Sequence, residues 1–511
     1  MASRILGLVR DQVLAFYFGA GDAMDAFRVA FRVPNLVRDL FAEGAMSAAF
    51  VPTFTQELTT GGKMRGWALA NSVITALLLI TGVLVVAGAI FAEPLVRLFA
   101  PDFAGVPGKL ELTILLARIM VPFLTLVALA AVFMGMLNAL GHFFIPALSP
   151  AMFNVATIVI VVLFIPLAPA LNVEPIVLVA IATLVGGVGQ LAIQWGPLQG
   201  EGFSYRFRLD IQDPSLRRVL LLMGPGTIGM AATQINVLVN TQFAAGEGTG
   251  AVSWLDYAFR LMYLPIGLFG VSIAAASTPA LSRLAATADA ARMRSTVASA
   301  IGLMLMLNIP ATVGLIALAV PIVALIFEHG RFTAADTVAT ARALQFYAIG
   351  LVAYSIVRIV SPAFYALRLS RIPVTASIIS VAVNIGFNVV LVRVMGYAGL
   401  ALGTSLAAIV NAAVQMVLLR RELSGIEGIG ITITFLKVLV SAAAMGGAAW
   451  YTELVLREMF PGGSIPLQGA RLTVAILVAL AVLAAGASIL RIREFHEARD
   501  MVLNRLRRSS R

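Results

Sequence analysis

The chain has 511 residues, 60% of them hydrophobic and only 12% charged, with a mean hydropathy of +0.96. A soluble domain carries about 25% charged residues, so these figures exclude a water-wrapped globular enzyme. The net charge of +11 is concentrated in short connections and in the tail from Arg491 to Arg511, which is the signature of basic cytoplasmic loops and argues against a nucleic-acid partner.

Apolar stretches long enough to cross a hydrocarbon core of ~30 Å recur along the whole chain. They predict membrane helices at 2–19, 26–56, 68–92, 110–138, 143–165, 174–196, 218–243, 253–281, 296–326, 340–366, 372–394, 397–419, 430–452 and 468–490. The expected fold class is all-α, a polytopic membrane protein of about 14 transmembrane helices. Arg4, Arg10 and Asp11 interrupt the first stretch, so it reads as a membrane helix and not as a cleavable leader. Pro34, Pro122, Pro265 and Pro321 lie inside predicted helices and mark expected kinks.

The connections set an orientation. With a cytoplasmic N-terminus the inner segments hold 20 basic residues, among them Lys63, Arg65, Arg206, Arg208, Arg420 and Arg421, and the outer segments hold 6, including Arg97, Lys109 and Arg331. That bias places both termini in the cytoplasm. There is no cysteine, and His142, His329 and His496 are far apart, so neither a zinc pattern nor a nucleophile triad is present in the sequence.

The chain also echoes itself. Phe18-Gly-Ala-Gly-Asp22 recurs as Phe243-Ala-Ala-Gly-Glu247, Ala30-Phe31-Arg32 as Ala258-Phe259-Arg260, and Ala139-Leu140 with Ile145-Pro146 as Ala366-Leu367 with Ile372-Pro373. The shared offset of 225 to 228 residues spans six predicted helices. An even number means two parallel six-helix repeats, with two C-terminal helices outside them. The expected organisation is an N-lobe over 1–197, a C-lobe over 198–424, helices thirteen and fourteen over 425–490, and a basic cytoplasmic tail over 491–511.

Charge within the first two spans is unusual. They hold Arg4, Arg10, Asp11, Arg28, Arg32, Arg38, Asp39 and Glu43, with Asp25 at the edge. A charge at the bilayer centre costs at least ~2.5 to 3.5 kcal/mol, so these groups are expected to face the protein interior or a wet cavity. Positions 25, 28, 32, 35, 39 and 43 form one helical stripe. Arginines outnumber acids by one there. An arginine surplus in a low-dielectric place binds an anion, and the planar guanidinium suits phosphate. Later in the chain Arg260 follows Asp256 by one turn, and Arg118 and Arg358 are further intramembrane arginines. The alternative is that the acids pair with these arginines only to lock helices together. The last two predicted helices carry just Lys437 and Arg471, and read equally well as a greasy groove or as plain lipid-facing helix.

The opening residues resemble a known family. Ser3-Arg4-Ile-Leu-Gly-Leu-Val-Arg10-Asp11, Phe18-Gly-Ala-Gly21, Asp25-Ala-Phe27 and Pro34-Asn35-Leu-Val-Arg38-Asp-Leu-Phe-Ala-Glu43 look like the signature of the MurJ (MviN) lipid II flippases of the MOP superfamily. Trp254, Tyr257, Arg260-Leu-Met262, Leu264-Pro265 and Gly270 resemble the eighth-helix signature of that family. The resemblance implies an inverting transporter, not an enzyme, which moves the undecaprenyl-linked peptidoglycan precursor across the bacterial inner membrane by alternating access. It implies a cavity built from helices 1, 2, 7 and 8, with Arg4, Arg10, Asp25, Arg38 and Arg260 as substrate-binding residues and Arg28, Arg32, Asp39 and Glu43 as secondary candidates. It implies a polyprenyl groove at helices 13 and 14. Some members are linked to a sodium site with an Asn and an Asp four apart; here the pair is Asn384 and Asn388, and loss of a carboxylate weakens a site for a hard cation. No cofactor or metal is expected, and the membrane potential is the expected energy source. Expected partners are lipid II, anionic membrane lipids and cell-wall synthesis proteins. Two alternatives are another MOP-superfamily exporter, of lipid-linked oligosaccharides or drugs, and a membrane scaffold that transports nothing.

Overall fold

In hydrocarbon a backbone N–H or C=O has no water to bond, so a chain this apolar must satisfy its main chain within each segment. The computed structural model is helical accordingly, with no strand among the described residues. It describes residues 2–38, 47–497 and 499, without the side chains of residues 2, 37, 38, 47, 48 and 223–232. In chain order the helices are α1 (Ala2–Phe18), α2 (Asp22–Arg38), α3 (Ser47–Ile90), α4 (Ala92–Phe99), α5 (Lys109–Met120), α6 (Phe123–Ala139), α7 (Phe144–Phe164), α8 (Pro175–Gly200), α9 (Pro214–Gly246) and α10 (Ala251–Pro265). They continue as α11 (Val271–Ala286), α12 (Ala290–Ala317), α13 (Ala319–Phe327), α14 (Ala334–Ile349), α15 (Leu351–Ala366), α16 (Arg371–Met395), α17 (Tyr397–Glu422), α18 (Gly428–Met459) and α19 (Ile465–Ile489).

Ten helices or continuous helix pairs are long and apolar enough to cross a membrane, and eleven if the pair α14 and α15, bent by 40°, counts as one span. Helices α1 and α2 fall outside that number because each is 17 residues long and both carry charges. The chain is therefore a multi-pass all-α membrane protein.

Breaks fall where the backbone loses a donor or reverses its twist. Pro122 separates α5 from α6. Pro265 ends α10, and a π-helical turn, Ile266–Gly270, leads into α11. Pro321 sits in the first turn of α13, just after the break at Leu318. Pro34, by contrast, lies inside α2. The connection expected near 59–66 is a single backbone interruption within α3 at Gly62, whose φ of +71° is open to glycine and strained for other residues.

Packing divides the chain into two compact units. One comprises Met1–Ser253 with His329–Phe332, the other Trp254–Glu328 with Thr333–Arg511. This partition groups residues by contact, whereas the sequence repeat groups them by similarity. In the first unit α3, α6 and α8 enclose an aromatic core in which Phe54, Trp67, Phe133, Trp195 and Phe203 stack or meet edge to face. The segment 329–332 belongs to this core region by a backbone bond, Arg331 N–H donating to Phe16 O at 2.9 Å. Gly19 and Gly330, both at φ +62°, meet that segment and Phe16 so closely that a Cβ on either would collide with backbone. In the second unit α12, α15, α18 and α19 pack through Ile301, Met304, Phe364, Val438, Ala442, Ala475 and Ala479. Small residues dominate the faces of α18 and α19, because helices in lipid associate through close van der Waals packing.

Candidate charged site in the first helices

Helices α1 and α2 hold the buried charge. Asp11 is wholly buried and Arg10 nearly so. Arg10 donates from Nη2 and Nε to Asp11 Oδ1 at 2.9 and 3.2 Å. Arg28 Nη2, also buried, lies 3.9 Å from the same oxygen. Two guanidinium groups thus meet at one carboxylate oxygen. The Arg10 guanidinium also lies 5.2 Å above the Phe153 ring of α7, which adds a cation–π attraction. Phe153 packs in turn with Phe31 and Phe123, so aromatic rings wall the charged group and fix its position.

The other predicted residues are distributed as follows. Arg4 is exposed on α1 and Arg32 half-buried on α2. Arg38 closes α2, and its side chain lies outside the described residues, as do Asp39 and Glu43 entirely. In the second unit Arg260 and Asp256 are both half-buried on α10. On the same helix Tyr263 receives a short hydrogen bond from Arg358 of α15, whose guanidinium also lies 5.5 Å over its ring.

Asp25 is completely buried at the start of α2 and is saturated by donors. Its Oδ2 accepts from Gly250 N–H at 2.7 Å and from Lys109 Nζ at 3.1 Å. Its Oδ1 accepts from Ser253 Oγ at 2.7 Å and from Ser253 N–H at 3.1 Å. The carboxylate therefore caps the first turn of α10, where backbone donors are unsatisfied and the helix dipole favours negative charge. Lys109 bridges to Asp22 Oδ1 at 2.8 Å, and Thr249 Oγ1 donates to that oxygen at 2.7 Å. Phe103 covers the ammonium at 4.2 Å.

From the sequence Lys109 counts only among the outer basic residues. It is 3% exposed and compensates two carboxylates. Nothing local marked it, since a lysine at the start of an apolar run looks the same whether it points to water or inward. Phe153 was likewise missed, as one phenylalanine among 29.

Asn384 and Asn388 are buried on α16. Asn388 Nδ2 donates to Asn384 Oδ1 at 3.2 Å, and Asn384 Nδ2 reaches Thr404 Oγ1 of α17 at 3.5 Å. Among the described residues no group of three or more His, Asp or Glu side chains is arranged to hold a metal ion.

Residues 14–470 match the family model described as lipid II flippase MurJ. The chain is 36% identical over 484 residues to a probable lipid II flippase MurJ of Bdellovibrio bacteriovorus, covering 94% of this chain and 90% of that one. It is 34% identical to the lipid II flippase MurJ of Burkholderia cenocepacia, covering 83% and 82%. Among solved structures it is similar to a lipid II flippase MurJ in an inward closed conformation, with a TM-score of 0.77, 28% identity, and coverage of 96% and 97%. An inward-facing multidrug MATE transporter of the MOP superfamily shares the fold at a TM-score of 0.69 and 18% identity. With nearly nine-tenths of its length matched by one family model and full-length relatives above 30% identity, this chain belongs to the lipid II flippase MurJ family.

Proposed function

We propose that this protein translocates lipid II across the bacterial inner membrane by alternating access, without making or breaking a bond. Family membership supports the activity. The observation that carries the physical reading is the buried pairing of Arg10 and Arg28 on the single carboxylate Asp11. A diphosphate arriving there meets guanidinium donors already held by packing, so little ordering entropy is lost on binding. By the family resemblance Arg4, Arg38 and Arg260 are further substrate-binding residues, with Arg32, Asp39 and Glu43 as secondary candidates. Asp25 acts through position, by holding the start of α10.

With α1, α2 and α9 added to the eleven apolar spans, the chain crosses the membrane fourteen times and both termini are cytoplasmic. The two six-helix repeats form the moving lobes. The outward faces of α18 and α19 carry Trp450, Leu454, Leu477 and Leu480 exposed, an apolar track for the polyprenyl tail. A potential of 100 mV is worth ~2.3 kcal/mol per charge moved, and it drives return of the positively charged empty cavity. The Asn384–Asn388 pair offers amide oxygen and no carboxylate, which makes it a weak cation site at most.

The test is complementation of a flippase-depleted cell, paired with a lipid II flipping assay on Arg10→Ala, Arg38→Ala and Arg260→Ala. The expected variants are folded, inserted and inactive. Variants that flip at the parental rate overturn the assigned site. Variants that fail to insert favour a helix-locking role instead. Flipping that survives collapse of the potential overturns the energetic part alone.

A further inference from the structure

We propose that a second site, built from α12, the first turns of α18 and the residues after α19, binds the headgroup of an anionic phospholipid. It is a cavity of about 240 Å³ lined by Ser299, Thr434, Lys437, Arg491, Arg493 and Glu494, among others. All of these belong to one packing unit. None is part of the charged site described above, and the inference does not rest on the flipping activity.

Charge is the first argument. Three basic side chains, Lys437, Arg491 and Arg493, line the cavity with two acids, Glu427 and Glu494. Glu497, which pairs with Arg493, raises the acids to three, so the basic groups left to meet an anionic headgroup are Lys437 and Arg491. Arg493 is committed to Glu497 at 2.9 Å and reaches Ser299 Oγ at 3.4 Å. Glu494 Oε1 accepts from Thr434 Oγ1 at 3.3 Å, and the same oxygen lies where a Cβ on Gly302 would collide with it. Among the described residues the side chains of Lys437 and Arg491 make no ion pair and no hydrogen bond, so their charges face the cavity. An arginine suits a phosphate because its fork donates twice.

Backbone strain is the second. Arg491 follows the last turn of α19 with φ +50°, and Glu427 precedes α18 with φ +52°. A position just past a helix C-terminus in this conformation favours glycine. An arginine here costs backbone energy that a glycine would not.

The third argument selects a lipid over a soluble phosphate. An exposed apolar stripe runs along α18 from the cavity: Ile429, Ile433, Leu436 and Val440 are 81%, 48%, 53% and 61% exposed. Their spacing of four, three and four residues puts them on one helix face. Ile433 belongs to the cavity wall as well as to the stripe. A basic pocket opening onto an apolar track fits a molecule with a charged head and acyl chains. In the orientation proposed above, that molecule lies in the inner leaflet.

The test uses the full-length chain in neutral maltoside micelles, with fluorescent dioleoyl phosphatidylglycerol as the probe. Dioleoyl phosphatidylcholine and glycerol 3-phosphate are the competitors. Lys437→Gln/Arg491→Gln is expected to weaken probe binding at least tenfold, while Arg420→Gln/Arg421→Gln on α17 leaves it unchanged. Arg491→Gly separates binding from folding. Glycine relieves the left-handed backbone, so this variant is expected to unfold at the same temperature or higher and still bind several-fold more weakly. Parental probe binding by both Arg491 variants overturns the proposal. Equal competition by phosphatidylcholine overturns the charge argument, and effective competition by glycerol 3-phosphate reassigns the site to a soluble phosphate.

Discussion

Two lysine-centred clusters in the first unit share one chemistry and differ in one variable. Lys109 joins Asp22 and Asp25 with its side chain 2% exposed. Lys63 joins Glu201 at 2.9 Å with its side chain 57% exposed, and His142 Nε2 meets the other Glu201 oxygen at 2.8 Å. The exposed cluster ties the turn after α6 to α3 and to the end of α8, in water that already solvates every member. Its pairing replaces hydration and is worth little. Lys109 and Asp25 have no such alternative, because a charge withdrawn from water depends on its partners for nearly all of its solvation, whereas the Asp22 side chain keeps 46% of its surface exposed. A lysine–carboxylate pair is thus decorative in one place and structural in the other, and burial decides which.

The sharpest way to break this contrast is Lys109→Met. It leaves Asp25 buried beside Asp22 without a counter-charge, and breaking a buried pair from one side costs about 3–5 kcal/mol. Thermal unfolding in detergent should show a large drop in midpoint. Lys109→Met/Asp25→Asn should recover part of that loss, because the amide oxygen still accepts from Gly250 or Ser253 while the stranded charge is gone. A double variant no better than the single one would contradict the electrostatic account. A smaller effect is expected from Ser253→Ala, which removes the 2.7 Å hydroxyl donor and keeps the backbone donor. Loss of a hydrogen bond to a charged group is worth about 1.5–3 kcal/mol, and the remaining donors to Asp25 should hold the result at the low end.

The smallest effect belongs to Glu201→Gln, for which no measurable change in midpoint is expected at neutral pH. Hydrogen bonds from His142 and then Lys63 hold the Glu201 carboxyl below its ordinary value. A depressed carboxylate stabilises the folded state above its unfolded pKa and loses that contribution as pH falls through the folded value. Any difference between parent and variant should therefore be present above ordinary carboxylate values and disappear in stronger acid. A difference that grows on acidification would reverse the sign and refute the assignment.

The same contrast explains what could be read from the chain beforehand. Helical spans were legible because lipid enforces long apolar runs, and Pro122, Pro265 and Pro321 each fell beside a break because a missing N–H is a local property. Buried charge at Arg10, Asp11 and Arg28 was legible because no solvent-exposed segment surrounds it. The partner of Asp25 was not. Lys109 lies 84 residues away and the start of α10 some 225, and such pairings depend on how helices pack. The spacing of Asn384 and Asn388 disclosed a shared face, but their role as an interhelical hydrogen-bond chain to Thr404 required α17 in place.

Gly19 and Gly330 carry a consequence for reading mutational tolerance. Each holds a left-handed backbone and abuts another stretch of main chain, Arg331 in one case and Phe16 in the other. Saturation mutagenesis scored by cell survival should leave only the wild-type codon family at both positions. Such absolute intolerance, ordinarily taken as the mark of a ligand contact, would here record the close approach of two stretches of main chain.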